Sequence, residues 1–216
     1  IVMFMKKLEK KPILLSVGLV VFESLLYFVS KILQGPAHIM NGTIDNAIPF
    51  CVYFIIPYCF WYLLIFYIPY YYYKKDKDLF NKFYVSYIIM IILANIVYLV
   101  YPSTVVRPEV TNNGILYWMT KVVFMVDTPA INCFPSLHCG VITLMLLASL
   151  ESNKLSNDHK LFMGVCMLVI CASTLLIKQH AFIDAIGGIT LATIVYLIIP
   201  RWNKLLSYTK KILKLN

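Results

Sequence analysis

Six apolar stretches, at about residues 13–33, 47–69, 83–101, 138–151, 161–178 and 182–200, take up most of this 216-residue chain. Each approaches the roughly 20 apolar residues that a helix needs to cross a bilayer. No water-facing globule of this size can bury them all: 61% of the residues are hydrophobic and 13% charged, where ordinary soluble domains carry about 25% charged residues. The same richness excludes a disordered chain. It excludes a small disulfide scaffold as well; the six cysteines form no C-x-x-C pair, and only Cys133 and Cys139 stand where an oxidising compartment would allow them to pair. The expected fold is an all-α membrane protein, a six-transmembrane-helix bundle forming one domain over residues 1–216. The first stretch follows Lys6, Lys7, Lys10 and Lys11; it is too long for a signal-peptide core and lacks a small-residue cleavage site, so it is expected to remain as a span.

The basic residues set the expected orientation. Lys6, Lys7, Lys10, Lys11, Lys74, Lys75, Lys77, Lys82, Lys154, Lys160, Arg201, Lys204, Lys210, Lys211 and Lys214 fall in alternate connections on one side, which is 15 of the 19. The other side keeps Lys31, Arg107, Lys121 and Lys178. The positive-inside rule then places both termini in the cytoplasm of a multi-pass cell-membrane protein. The net charge of +9 is accounted for by those loops and does not call for a nucleic-acid partner. Tyr70 to Tyr73 with Lys74 and Lys75 read as an interfacial anchor. The longest connection, about Pro102 to Pro135, is expected on the extracytoplasmic face, with Lys121 a solvated loop charge.

Three polar residues are placed for chemistry. His138 opens the fourth stretch in Cys133-Phe134-Pro135-Ser136-Leu137-His138, and His180 and Asp184 lie before the last in Lys178-Gln179-His180-Ala181-Phe182-Ile183-Asp184. All reach the extracytoplasmic side on the expected topology. Four residues apart on a helix, His180 and Asp184 would share a face. A carboxylate on one imidazole nitrogen fixes the tautomer and makes the other nitrogen a better nucleophile. A second histidine opposite would protonate a leaving oxygen. Pro135-Ser136 reads as a helix N-terminus capped by Ser136, and so as an anion site beside His138.

Pro135-Ser136-Leu137-His138 followed by His180-x-x-x-Asp184 resembles the type-2 phosphatidic acid phosphatase superfamily, whose motifs are K-x6-R-P, P-S-G-H and S-R-x5-H-x3-D. Arg107-Pro108 matches the end of the first motif, Pro135, Ser136 and His138 the second, and Ser173, His180 and Asp184 the third. The resemblance covers about residues 83–190. Val100, Leu137 and Thr174 stand where the motifs have Lys, Gly and Arg. P-S-L-H without the third-motif Arg is similar to the inositol-phosphorylceramide synthase branch. The resemblance implies cofactor-free and metal-independent phosphoryl transfer on a lipid phosphate at the extracytoplasmic face. His180 would attack phosphorus to form a phosphohistidine, Asp184 would orient it, and His138 would protonate the leaving alkoxide. Arg107, Ser136 and Lys178 would hold the non-bridging oxygens, Lys178 supplying the cation missing at Thr174. Water as acceptor makes the protein a lipid-phosphate phosphohydrolase; an alcohol or lipid acceptor makes it a phosphotransferase.

Two other readings use the same residues differently. His138, His180 and Asp184 would suit a two-His, one-carboxylate metal site. A channel or scaffold would need polar residues deep in several spans, where the sequence offers Glu23 and Asn95. Glu23 reads as a packing or water-facing residue, Asn95 as an interhelical hydrogen bond, and Asn132 as a turn residue. Ala181, Ala185, Gly188 and Ala192 give the last stretch a small-residue face for close packing, and Pro57 and Pro69 are expected to kink the second.

Overall fold

The computed structural model describes residues 11–200 and Lys204; the basic residues Lys6, Lys7, Lys10, Arg201, Lys210, Lys211 and Lys214 lie outside the described residues. Eight α-helices run through the described part: α1 (Pro12–Leu33), α2 (Thr43–Ala47), α3 (Ile55–Lys75), α4 (Lys77–Val100), α5 (Ile115–Val126), α6 (Leu137–Glu151), α7 (Asn157–Leu176) and α8 (Phe182–Ile198). Two short strands, β1 (His38–Ile39) and β2 (Ser103–Thr104), pair in parallel and tie the segment after α1 to the segment after α4. The apolar surface is turned outward. Leu25, Phe28 and Ile32 on α1, Leu161 and Leu168 on α7, and Leu197 on α8 are all exposed. A chain placed in lipid presents its hydrocarbon side chains this way and satisfies its backbone inside each helix.

The expected stretches and the helices differ at their ends. The four segments Pro12–Leu33, Val52–Lys75, Lys77–Val100 and Asn157–Leu176 are long and apolar enough to cross a membrane. The helices α6 and α8 hold 15 and 17 residues, or about 22 and 26 Å at 1.5 Å per residue, short of the roughly 30 Å hydrocarbon layer. Hydropathy does not decide where these two begin; their caps do. Ser136 accepts from the Cys139 N–H at 3.4 Å, and Asp184 folds back to accept from the Ala181 N–H at 2.7 Å, stopping each helix at that point.

The second stretch is displaced toward the C-terminus, because α3 runs through Pro69 to Lys75. Pro57 falls in the first turn, where a missing N–H costs nothing; Pro69 is the one that removes a ladder bond. The tyrosine run therefore lies on a helix. Lys74 and Lys75 sit over the Tyr70 and Tyr71 rings at 5.5 and 5.9 Å, as an anchor would. Tyr72 instead is fully buried and donates to the Met145 carbonyl at 2.5 Å. A single residue separates α3 from α4: Asp76, extended, ends the first helix and caps the second by accepting from Leu79 N–H. The 102–135 connection is no open loop, since it contains α5, on which Lys121 is carried and donates to the Asn112 carbonyl at 3.0 Å.

One core joins α3, α4, α6, α7 and α8 through Leu64, Ile68, Phe80, Phe83, Met90, Ile142, Leu144, Met163, Ala192 and Tyr196. The small-residue face of α8 packs as expected. A Cβ at Gly188 would stand 2.1 Å from the Ser136 carbonyl oxygen, and one at Gly140 would stand 3.3 Å from the Gly188 oxygen. Backbone therefore meets backbone where α6 and α8 cross, and this contact fixes the two catalytic-motif segments against each other. Asn95 Nδ2 donates to Glu23 Oε2 at 3.1 Å, joining α4 to α1 as an interhelical hydrogen bond. All six cysteines are free.

Candidate active site

The N-termini of α6 and α8 and the turn after α7 converge at one end of the bundle. His138 is the second residue of α6. Its ring stacks on Tyr58 at 4.6 Å and lies 4.3 Å from Trp61, both on α3. The His180 ring is 5.7 Å from it, centre to centre. Two further bonds seat the second motif: Tyr98 donates to the Pro135 carbonyl at 2.8 Å, and Ser136 N–H donates to the Asp184 carbonyl at 2.9 Å.

His180 and Asp184 do not share a helix face, because α8 begins only at Phe182. They approach because Asp184, three residues past the Ala181 cap, turns back along the first turn. His180 Nδ1 stands 3.1 Å from the Cys133 carbonyl oxygen and 3.7 Å from Asp184 Oδ2. Both neighbours are acceptors, so Nδ1 carries the proton and Nε2 keeps its lone pair. Burial pulls the His180 imidazole down, but the Asp184 carboxylate outweighs it, so the ring holds its proton to higher pH than an ordinary histidine.

Arg107 reaches the same place from the extended segment after β2. It donates to the Asp127 carbonyl at 2.9 Å, and its other terminal nitrogen bonds the Asp127 carboxylate and Gln179 Oε1. Asp127 is held in turn by Tyr27, whose hydroxyl donates to Oδ1 at 2.7 Å. Asp127 and Gln179 escape a reading of the sequence. Asp127 stands in an Asp-Thr-Pro segment of the long connection and Gln179 directly before a histidine, and neither position marks a role by itself.

Lys178 goes elsewhere. It adopts a left-handed backbone, φ 58°, and its ammonium donates to the carbonyls of Asp45, at 2.7 Å, and Ile48. Asp45 then accepts from the Phe182 N–H at 2.7 Å, so the lysine braces the start of α8 through the short helix α2 and Ile48, just past its end. Thr174 contributes its carbonyl, which accepts from both Gln179 and His180 N–H at 3.0 and 3.1 Å. Asn132 is the turn residue expected, left-handed at φ 58°, with its amide donating to Ser30 Oγ at 2.8 Å.

Several buried polar atoms at this end lack a partner among the described residues: His138 Nε2, Asp184 Oδ1, Gln179 Nε2, Arg107 Nε and Trp61 Nε1. A buried donor or acceptor left alone costs about 1–3 kcal/mol, so a cluster of them marks a place built for something other than packing. The described residues contain no group of three His, Cys, Asp or Glu side chains placed to hold a metal ion, so the metal-site reading of His138, His180 and Asp184 has no matching geometry there.

A family model described as the PAP2 superfamily matches residues 19–198. The chain belongs to that superfamily. Its members are membrane-associated phosphatases and phosphotransferases, and membership supports phosphatase-like chemistry on lipid phosphate for this chain. The match spans α1 to α8 and so covers every residue of the site just described. None of the curated proteins and none of the solved structures matches the chain.

Proposed function

We propose that the protein is a lipid-phosphate phosphohydrolase working through a phosphohistidine on His180, from a six-span bundle with both termini in the cytoplasm and its site on the extracytoplasmic face of the cell membrane. The observation that carries this reading is the pair of acceptor oxygens, of Cys133 and Asp184, that face His180 Nδ1. With the proton held on Nδ1 between Cys133 and Asp184, Nε2 is left as the nucleophile. It forms a bond to phosphorus while the bond to the lipid oxygen breaks. His138, 5.7 Å away ring to ring, gives that oxygen a proton through its unpartnered Nε2. The Asp184 carboxylate offsets the positive charge that develops on the His180 ring. Water then attacks phosphorus, passes its proton to His138, and releases phosphate and free His180. On this reading Arg107 and the Ser136 turn hold the non-bridging oxygens. Lys178 acts on this reading by bracing α8 and does not touch phosphate.

Transfer to an alcohol is the second reading, favoured by Leu137 and Thr174 in place of the motif Gly and Arg. It shares the first half-reaction and differs only in the acceptor. The deciding measurement is phosphate release by purified protein in detergent with EDTA, over a panel of lipid phosphates, beside His180→Ala. Release that survives EDTA and disappears in the variant is expected. Equal turnover by wild type and variant on every substrate would overturn the phosphohistidine. Product formation only when an alcohol acceptor is added would replace hydrolysis by transfer.

A further inference from the structure

Gln179 is 2% exposed and sits between His180 and the diverted Lys178. Its backbone N–H is fixed on the Thr174 carbonyl at 3.0 Å. The left-handed turn at Lys178 sends neighbouring side chains apart, Lys178 to Asp45 and Ile48, Gln179 to Arg107. The orientation of its amide follows from chemistry. A guanidinium only donates, so the atom facing Arg107 must be the oxygen, and the NH2 group points the other way. That nitrogen is buried and has no partner within the protein. The position where the family's third motif carries an arginine is filled by Thr174, whose hydroxyl is spent on the Cys171 carbonyl at 2.8 Å. One donor to the phosphoryl group is therefore missing, and one buried amide donor beside the nucleophile is unused.

We infer that Gln179 is a phosphate-binding residue, its Nε2 donating to a non-bridging phosphoryl oxygen while its Oε1 holds Arg107 in place for the same group. The inference rests on the phosphohydrolase reading. The amide gives the site a neutral donor where relatives in the superfamily would use a cation, and it couples that donor to Arg107 through one rigid side chain.

Two substitutions separate binding from mere support of Arg107. Q179E keeps an oxygen for Arg107 but replaces the donor by a negative charge. Q179M keeps the size and removes both polar atoms. The probes are the best lipid phosphate of the panel and inorganic phosphate as a competing product. Loss of a hydrogen bond to a charged group is worth at least about tenfold. Both variants should therefore raise KM and the phosphate inhibition constant by at least about tenfold, Q179E more than Q179M. If Q179E behaves as wild type while Q179M is impaired, Gln179 only supports Arg107 and the inference falls. Should Q179E not fold, Q179M alone decides: unchanged phosphate inhibition at an unchanged melting temperature overturns the inference. A wild-type protein that neither releases phosphate nor is stabilised by it would instead sink the underlying reading.

Discussion

The two ends of the helix bundle are built from the same residue types and treat them in opposite ways. At the far end, Lys82 meets Glu151 at 2.7 Å and lies over the Tyr196 ring at 4.0 Å. Asp76 accepts from Ser152 at 2.8 Å, Lys154 at 3.1 Å and the Leu79 N–H at 3.4 Å. His159 stacks on Tyr71, and its Nε2 shares a hydrogen bond with Ser149 at 3.1 Å. At the site end, His138, His180, Asp184, Arg107 and Gln179 are as deeply buried, yet four of them keep an atom with no partner. Polar groups at the far end hold helices together, and those at the site end are held ready by helices. Stability and readiness are thus separated along the bundle, as expected where a functional site is maintained at a cost met elsewhere in the fold.

The largest test of that contrast is His138→Ala. Phosphate release should fall by about 10²–10⁴-fold, the usual worth of a general acid, while the melting temperature in detergent falls only by what the lost ring contacts with Tyr58 and Trp61 entail, since no hydrogen bond of His138 Nε2 among the described residues is lost. A melting temperature that collapses with activity would assign His138 to the scaffold. Gly188→Ala comes next. Its Cβ would stand 2.1 Å from the Ser136 oxygen, and overpacking of this kind costs about 1–3 kcal/mol or more. Both stability and turnover should drop, because the clash parts α6 from α8. Lys82→Met removes the ion pair with Glu151 and should cost about 1–3 kcal/mol with the phosphate inhibition constant unmoved. A moved inhibition constant would show that the two ends are coupled.

A pH profile sharpens the same comparison. His180 is raised above the ordinary histidine range by Asp184 against the opposing effect of burial. Its charged form therefore adds stability at low pH, and that contribution is lost as pH rises through the raised value. On the proposed mechanism the nucleophile is the deprotonated ring, so the acid limb of the activity profile should lie above the ordinary histidine range and move down in Asp184→Asn. Asp76 runs the other way. Burial raises it, but Ser152, Lys154 and Leu79 together bring it below the usual carboxylate range, so its stabilisation is present at neutral pH and is lost only as pH falls through that lowered value. The smallest effect should come from Gly164→Ala in α7, where an added methyl meets nothing within 4 Å. Relief of the helix-interior glycine should stabilise by about 0.5–1 kcal/mol with activity unchanged.

What the sequence discloses is whatever depends on period and on nearest neighbours. The helix-forming apolar runs, the Ser136 cap, the two histidines with Asp184, and the small-residue face of α8 can all be read that way. What it conceals depends on where the chain turns. His180 and Asp184 share a helix face only if the last helix reaches back to His180. The left-handed residue at 178 ends that register and sends the lysine to the carbonyls of Asp45 and Ile48. Gln179 and Asp127 earn their places by bonding Arg107 from 72 and 20 residues away, separations that no local pattern records. The helix α5 lay inside a connection too irregular in composition to mark, and it gains its order from packing Leu116, Met119 and Val123 on Ile55, Tyr58 and Ile177.

The meeting of Gly188 with the Ser136 carbonyl has a consequence for how the site responds to its surroundings. Side chains can change rotamer and so absorb a push from the bilayer; two backbones in contact cannot. The gap between His138 and His180 is set by a hard stop, and lateral squeezing of the bundle meets that stop before it can bring the two rings closer. Differences in acyl-chain thickness or lateral pressure should therefore alter how a lipid enters the site, and with it KM, far more than they alter the turnover of a lipid already bound.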